Sequence, residues 1–384
     1  MQRRAAQLPL HTGQAPPWLF HRMSRMAAAI TQAIVEEFGP HEMLTRLSDP
    51  WWFQAFGSVL GFDWHSSGLT TVTCGALKHG LNQTGADLDL IVAGGKGKVS
   101  RRTPQEICEA SDRLGITDAD RLVSASRMSA KVDSAAVQDG FGIYHHSFIF
   151  TPDGHWCVIQ QGMDQVSKWA RRYHWLGTEV DDFVCEPHQA ISNLGMHSAN
   201  GQRSASTDTL NLVAHESAAN RDASAELARE HPDRILEEIK CCTQGPTLFA
   251  PAHHRVLDSD INPTRLRRLI LRAHDAHPND FATLLETPGV GPATIRSLSL
   301  LAEIIFQAPA SRRDPAHPAA VDNQRRWADY SYAHGGKDGT PFPVDRTTYD
   351  RNIEILTDAV RRARLGENDK FHALRRLAEH APPS

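Results

Sequence analysis

The stretch Leu284-Leu285-Glu286-Thr287-Pro288-Gly289-Val290-Gly291-Pro292-Ala293-Thr294-Ile295 limits this chain's fold more than any other. Two prolines and two glycines within five residues end one helix and start the next within a single turn. Gly289 and Gly291 supply backbone conformations closed to other residues, and Val290 is small enough to plug between the helices. The second helix begins at Pro292 or just after it, so its first unpaired N–H groups and the positive end of its dipole face outward. An anion fits there, with Thr294 and Arg296 one turn in as supporting groups. A corner that only packs, or one used for dimerisation, would show the same residues.

Around this corner the spacing is helical. Apolar residues recur at helical intervals in 206–229, 233–240, 264–276, 280–285, 294–306 and 346–364. Upstream the pattern is mixed. Residues 18–38 carry Met23, Met26, Ile30, Ile34 and Val35 on one helical stripe, 88–93 reads as a short strand, and 144–150 with 155–161 flank the turn Pro152-Asp153-Gly154. The small polar run 197–206 separates the two regimes. The expectation is therefore an α+β chain with a mixed domain at 1–197 holding a small antiparallel sheet, and an all-helical domain at 207–384 holding a helix-hairpin-helix.

At 384 residues, two cores are expected. A formal charge of -4 excludes a uniformly basic binder while leaving room for local patches. No apolar run reaches membrane-spanning length and no secretory leader is evident, so a cytoplasmic protein is expected. The six cysteines form no Cys-x-x-Cys pair, which disfavours a cysteine-ligated zinc and fits reduced thiols.

Two upstream segments invite chemistry. Gly94-Gly95-Lys96-Gly97-Lys98-Val99-Ser100-Arg101-Arg102 reads as a glycine-rich basic loop between a strand and the capping box Thr103-Pro104-Gln105-Glu106. Backbone amides there, with Lys96, Lys98, Arg101 and Arg102, suit a nucleic-acid phosphate, although the order is not that of a nucleotide-binding P-loop. A second cluster joins Lys131, Arg171 and Arg172 to Trp169, Tyr173 and Trp175, the composition of a groove in which bases stack and phosphates are held. Asp133, Asp139 and His146 offer an alternative: a hard divalent cation for phosphodiester hydrolysis. A hydrogen-bonded sheet surface without catalytic purpose would account for the same residues.

The hairpin resembles the helix-hairpin-helix of DNA-binding proteins, where such a turn holds a backbone phosphate without reading bases. Downstream, Pro341-Phe342-Pro343-Val344-Asp345-Arg346 resembles the Pro-Val-Asp segment of helix-hairpin-helix DNA glycosylases. That resemblance implies that Asp345 is the carboxylate stabilising the cationic sugar, and that the chain is monofunctional, because Ala293 stands where bifunctional members carry a lysine. Lys337, in a glycine-rich loop, is the substitute lysine within reach of that reading. Read without the resemblance, Asp345 is equally a helix N-cap before Arg346.

The segments Leu8-Pro9-Leu10-His11, Ala15-Pro16-Pro17-Trp18-Leu19, Gly61-Phe62-Asp63-Trp64-His65-Ser66-Ser67-Gly68 and Ala333-His334-Gly335-Gly336-Lys337-Asp338-Gly339, together with 47–55, 94–100, 129–133 and 171–175, resemble the bacterial and archaeal family termed domain of unknown function 763. The functional expectation is a DNA-binding protein that repairs or processes DNA by base excision. A metal-dependent nuclease with its site upstream and a non-enzymatic adaptor are the alternatives. DNA is the expected partner, membrane is not, and a divalent metal is expected as cofactor only for the nuclease.

Overall fold

The structure is a computed structural model that describes residues 6–9, 17–62, 67–84, 88–164, 169–187, 191–192, 209–243, 263–315 and six positions between 358 and 375. The expected helix at 346–364, Lys337 and Asp345 lie outside the described residues, apart from isolated helical positions.

After a short strand β1 (Ala6–Pro9) come four helices: α1 (Pro17–Phe38), α2 (Pro40–Ser48), α3 (Pro50–Leu60) and α4 (Gly68–Thr84). The first three open on proline, whose fixed φ and missing N–H suit a helix's first turn. Gly39 takes a left-handed φ of 85° between α1 and α2, and the Asp49 carboxylate accepts from the Trp52 amide at 3.3 Å to start α3. Strand β2 (Ile91–Lys96) leads through a 3-10 turn at Gly97–Arg102 into α5 (Thr103–Leu114), α6 (Ala119–Lys131) and a π turn at Val132–Ala136.

The short β3 (Val137–Gln138) precedes the central hairpin, β4 (Gly142–Phe150) and β5 (Trp156–Met163), and then β6 (Trp169–Leu176) and β7 (Ile191–Ser192). The sheet order is β1-β6-β5-β4-β2, all neighbours antiparallel, with β7 also on β6. The remaining elements are β8 (Leu210–Asn211), α7 (Ala218–Arg229), α8 (Pro232–Thr243), α9 (Pro263–Ala276), α10 (Phe281–Glu286) and α11 (Pro292–Phe306).

Both faces of the sheet are covered. Alternation along β4, β5 and β6 sends Phe148, Val158 and Trp175 into one core and Ile149, Cys157 and Ile159 into another. The second core packs against α1 to α4 through Met23, Ile30, Trp52, Phe53, Phe56 and Leu77. The first continues into α5, α6 and the helices that follow β8.

Three expectations need correction. The division into domains at 1–197 and 207–384 does not separate cores, because Phe148 and Trp175 share one with Leu212, Leu227, Leu284 and Leu298. Backbone pairing also crosses it: β3 pairs with β8, and Asn211 pairs with Ser311. The helix expected over 206–229 starts only at Ala218, after β8 and a 3-10 turn. The strand expected at 88–93 is shifted to Ile91–Lys96, so Gly94 and Gly95 belong to it rather than to a loop. A Cβ at Gly94 would lie 2.3 Å from the carbonyl oxygen of His146, and only glycine lets β2 lie this close to β4.

Helix α4 crosses α1 with similar economy. A Cβ at Gly80 would meet the Ser24 carbonyl oxygen at 2.1 Å. Gly80→Ala is therefore expected to force α1 and α4 apart and lower stability by about 1–3 kcal/mol. Urea denaturation checks this, and an unchanged midpoint would show that the helices do not meet there.

Candidate nucleic-acid interface and the buried polar belt

The tight turn expected at 288–292 joins α10 to α11. Asp280 caps α10, its carboxylate accepting from the Thr283 amide at 2.8 Å. The turn closes through the Val290 amide on the Thr287 carbonyl at 3.2 Å, with Gly289 at φ 91°. Val290 is buried as the peg between the helices, while Pro288, Gly289 and Pro292 are exposed. Gly291 is extended, and a Cβ there would meet no atom within 4 Å. The N–H groups of Gly289, Gly291 and Ala293 meet no acceptor among the described residues. The turn thus presents bare amides at the start of a 15-residue helix.

The segment that ends α6 holds this turn in place. The Lys131 ammonium donates to the Val290 carbonyl, and burial lowers its pKa. Gln138 donates to the Pro292 carbonyl at 3.0 Å and accepts from Nε of Arg296 at 2.8 Å. Ser124 donates to Glu286 at 2.7 Å and fixes α6 against α10. Arg296 therefore serves the scaffold at least through its Nε. Thr294 is buried and cannot reach a phosphate with its side chain. The sequence places Arg127 and Gln138 in the polar run around Lys131 without giving either a role of its own; Arg127 is exposed one turn before Lys131 on α6. The spacing Arg-x-x-x-Lys was the available signal, since residues four apart share a helix face.

Lys96, Lys98, Arg101 and Arg102 are all exposed, and none is ion-paired among the described residues. The amide cradle expected beside them is partly closed. Glu106 accepts from the Gly94 amide at 2.8 Å and from Lys78 at 2.5 Å, so the protein's own carboxylate occupies that place. The capping box is not formed either: Thr103 is inside the helix, and its hydroxyl donates to the Ser100 carbonyl at 2.7 Å.

The groove expected along β6 is corrected more fully. Arg171 is 3% exposed, and Arg172, Tyr173 and Trp175 are also buried, so they form neither a stacking platform nor a phosphate clamp; the Trp169 side chain lies outside the described residues. Arg171 donates to Asp139 at 2.8 Å and through both terminal nitrogens to Asp314, at 3.2 and 3.1 Å, above the Phe141 ring. Burial alone would lower its pKa, but Asp139 and Asp314 reverse this and hold the guanidinium charged. Arg172 lies across the other face, over the Phe53 ring, donating to the Pro50 carbonyl at 3.1 Å. Burial pushes its pKa down to about 9.

The proposed metal set is likewise not assembled. Gln160 receives His146 Nδ1 at 3.0 Å and donates to Asp133 at 2.7 Å, so it separates the two. Asp133 also accepts from Trp175 Nε1 at 2.7 Å, and Asp139 from Tyr173 at 2.7 Å and from Arg171. Among the described residues, the group of potential metal ligands whose donor atoms converge is elsewhere, at His41, Asp153 and His155.

A family model described as a protein of unknown function, DUF763, matches residues 4–344, which span the sheet, the basic edge and the hairpin alike. The chain belongs to the DUF763 family. No curated protein and no solved structure matches it. The DUF763 match thus binds the two halves into one family unit, in agreement with their shared core. No helix among the described residues is long and apolar enough to cross a membrane.

The buried histidines of β4, His145 and His146, make stability depend on pH. Burial pushes His145 down to about 3, with His146 and Lys96 adding to it, and pushes His146 down to about 4 against a partly opposing hydrogen bond that its Nδ1 donates to Gln160. Both are neutral when folded, whereas the unfolded chain protonates them near pH 6.5, as a model histidine does. The unfolded state therefore binds more protons below that point, and stability falls as pH drops from about 6.5 toward 4, by on the order of 2–3 kcal/mol per histidine. His146→Asn should make the fall in urea midpoint across this window shallower. An unaltered slope in the variant would mean that His146 is not held neutral.

Proposed function

We propose that this DUF763 protein binds the sugar-phosphate backbone of DNA at the hairpin turn between α10 and α11. The observation that carries this reading is the open turn. Bare amides of Gly289, Gly291 and Ala293 stand at a helix N-terminus, beside a lysine whose ammonium is fixed on the Val290 carbonyl. One proton of Lys131 is used there and two remain, so its charge adds to the attraction of this turn for an anion without itself standing among the amides. Arg127 extends the positive edge along α6. Lys96, Lys98, Arg101 and Arg102 form a second cationic element that needs no base contacts, so affinity is expected without sequence preference.

DNA processing by base excision is the enzymatic form of the proposal. It rests on the resemblance of the Pro-Val-Asp segment, with Asp345 as the carboxylate that meets positive charge at the anomeric carbon. A panel of labelled duplexes carrying damaged bases, treated with alkali after incubation, tests it. Asp345→Asn should abolish the abasic product while retaining binding, and full-rate excision by the variant would remove Asp345 from the chemistry.

Binding itself is tested at Gly291. Its backbone is open to any residue and its Cβ space is empty, so Gly291→Ala should fold with an unchanged melting temperature. The methyl group would stand in front of the amides and weaken binding of a fluorescent duplex by roughly tenfold, the equivalent of one charge-assisted hydrogen bond. Arg127→Gln with Lys131→Gln should reduce the salt slope of log affinity by about 2. Undiminished affinity in the folded Gly291→Ala protein would move the DNA grip away from this turn.

A further inference from the structure

The turn Pro152-Asp153-Gly154 joins the interior strands β4 and β5 at one end of the sheet, far in sequence from the α10–α11 turn. It is rigidly framed. The Thr151 amide donates to the His155 carbonyl at 3.0 Å, the Gly154 amide to the Thr151 carbonyl at 3.0 Å, and the Thr151 hydroxyl to Asp153 Oδ1 at 2.5 Å. Gly154 takes a φ of 90°. Facing it, in the first turn of α2, is His41, whose carbonyl accepts from Thr45 at 3.1 Å.

Asp153 lies between two imidazoles. Nε2 of His41 is 2.7 Å from Oδ2, and Nδ1 of His155 is 3.2 Å from Oδ1. The ring centroids are 4.1 Å apart at 41°. Nδ1 of His155 is shut off from solvent and meets no acceptor at hydrogen-bonding angles, although the ring's edge is open. One donor atom from each of the three side chains lies within 4.8 Å of the others.

We infer that His41, Asp153 and His155 form a surface binding site for a zinc-class transition metal, linking α2 to the β4–β5 turn. Two imidazole nitrogens and one carboxylate oxygen are a borderline ligand set that favours Zn²⁺ over the all-oxygen preference of Mg²⁺ or Ca²⁺. The ligands come from two elements whose backbones are already fixed, so little ordering is needed when the ion arrives. The imidazoles need only turn their lone pairs toward a point that the carboxylate now bridges, and water completes the coordination. The site contains none of the residues assigned to the DNA interface.

The test uses the full chain, stripped with chelator and titrated with ZnCl₂ by calorimetry, with MgCl₂ as the comparison. One zinc per chain should bind at this site and raise the melting temperature, and MgCl₂ should do neither. Because these side chains are exposed, His41→Gln and His155→Gln should fold, and each should weaken zinc binding at least about tenfold. The histidine count elsewhere makes the variants decisive: zinc affinity and stoichiometry unchanged in the double variant would overturn the assignment. So would a wild-type protein that takes up no zinc, or one that takes up Mg²⁺ equally well.

Discussion

Arg171 cannot be buried without its two carboxylates, and much of the molecule is arranged to deliver them. Asp139 arrives on the loop after β3, and Asp314 on the segment that follows α11, on the far side of 143 residues of chain. Leaving a buried charge without its partner costs about 3–5 kcal/mol, so the sheet and the α11 segment are held as one body. The Asn211–Ser311 bridge and the pairing of β3 with β8 lie alongside and work in the same direction. Once α11 is pinned to the sheet, the turn at its N-terminus is brought against Lys131 and Gln138, and the position of the hairpin follows.

This arrangement divides the positive charges into two populations. Arg171 and Arg172 lie inside the sheet faces and are spent on holding it together. Arg127, Lys96, Lys98, Arg101 and Arg102 are exposed and uncommitted, and Lys131 stands between, fixed on a turn carbonyl while half-buried. A net charge of -4 is compatible with a DNA grip, because a local cluster such as Lys96, Lys98, Arg101 and Arg102, all exposed, sets the field near it whatever the overall charge.

Local chemistry made part of this legible in the sequence. Pro152-Asp153-Gly154 between branched and aromatic runs identified the β4–β5 hairpin, and Pro-Gly-Val-Gly-Pro identified the α10–α11 turn to within a residue. Prolines 40 and 50 mark the starts of α2 and α3 equally well, although their value appears only once the helices are seen. Other features depended on tertiary context. Ala170-Arg171-Arg172-Tyr173-His174 reads as a polar surface, because nothing local reveals that both faces of β6 are covered or that carboxylates more than 30 and 140 residues away await Arg171. Gly94-Gly95 reads as a flexible loop, because the close approach to His146 that demands glycine is a cross-strand fact. For the same reason the convergence of His41 on the β4–β5 turn has no sequence signal, its partners being more than a hundred residues distant.

The proposed DNA grip requires nucleic acid to cover the amides of the α10–α11 turn. Hydrogen exchange read at single-residue resolution, with and without a saturating short duplex, addresses this directly. Exchange at Gly289, Gly291 and Ala293 should be fast in the free protein and strongly slowed in the complex, while amides of β5 remain unaffected. Protection confined to other segments, with these three amides exchanging as before, would contradict it.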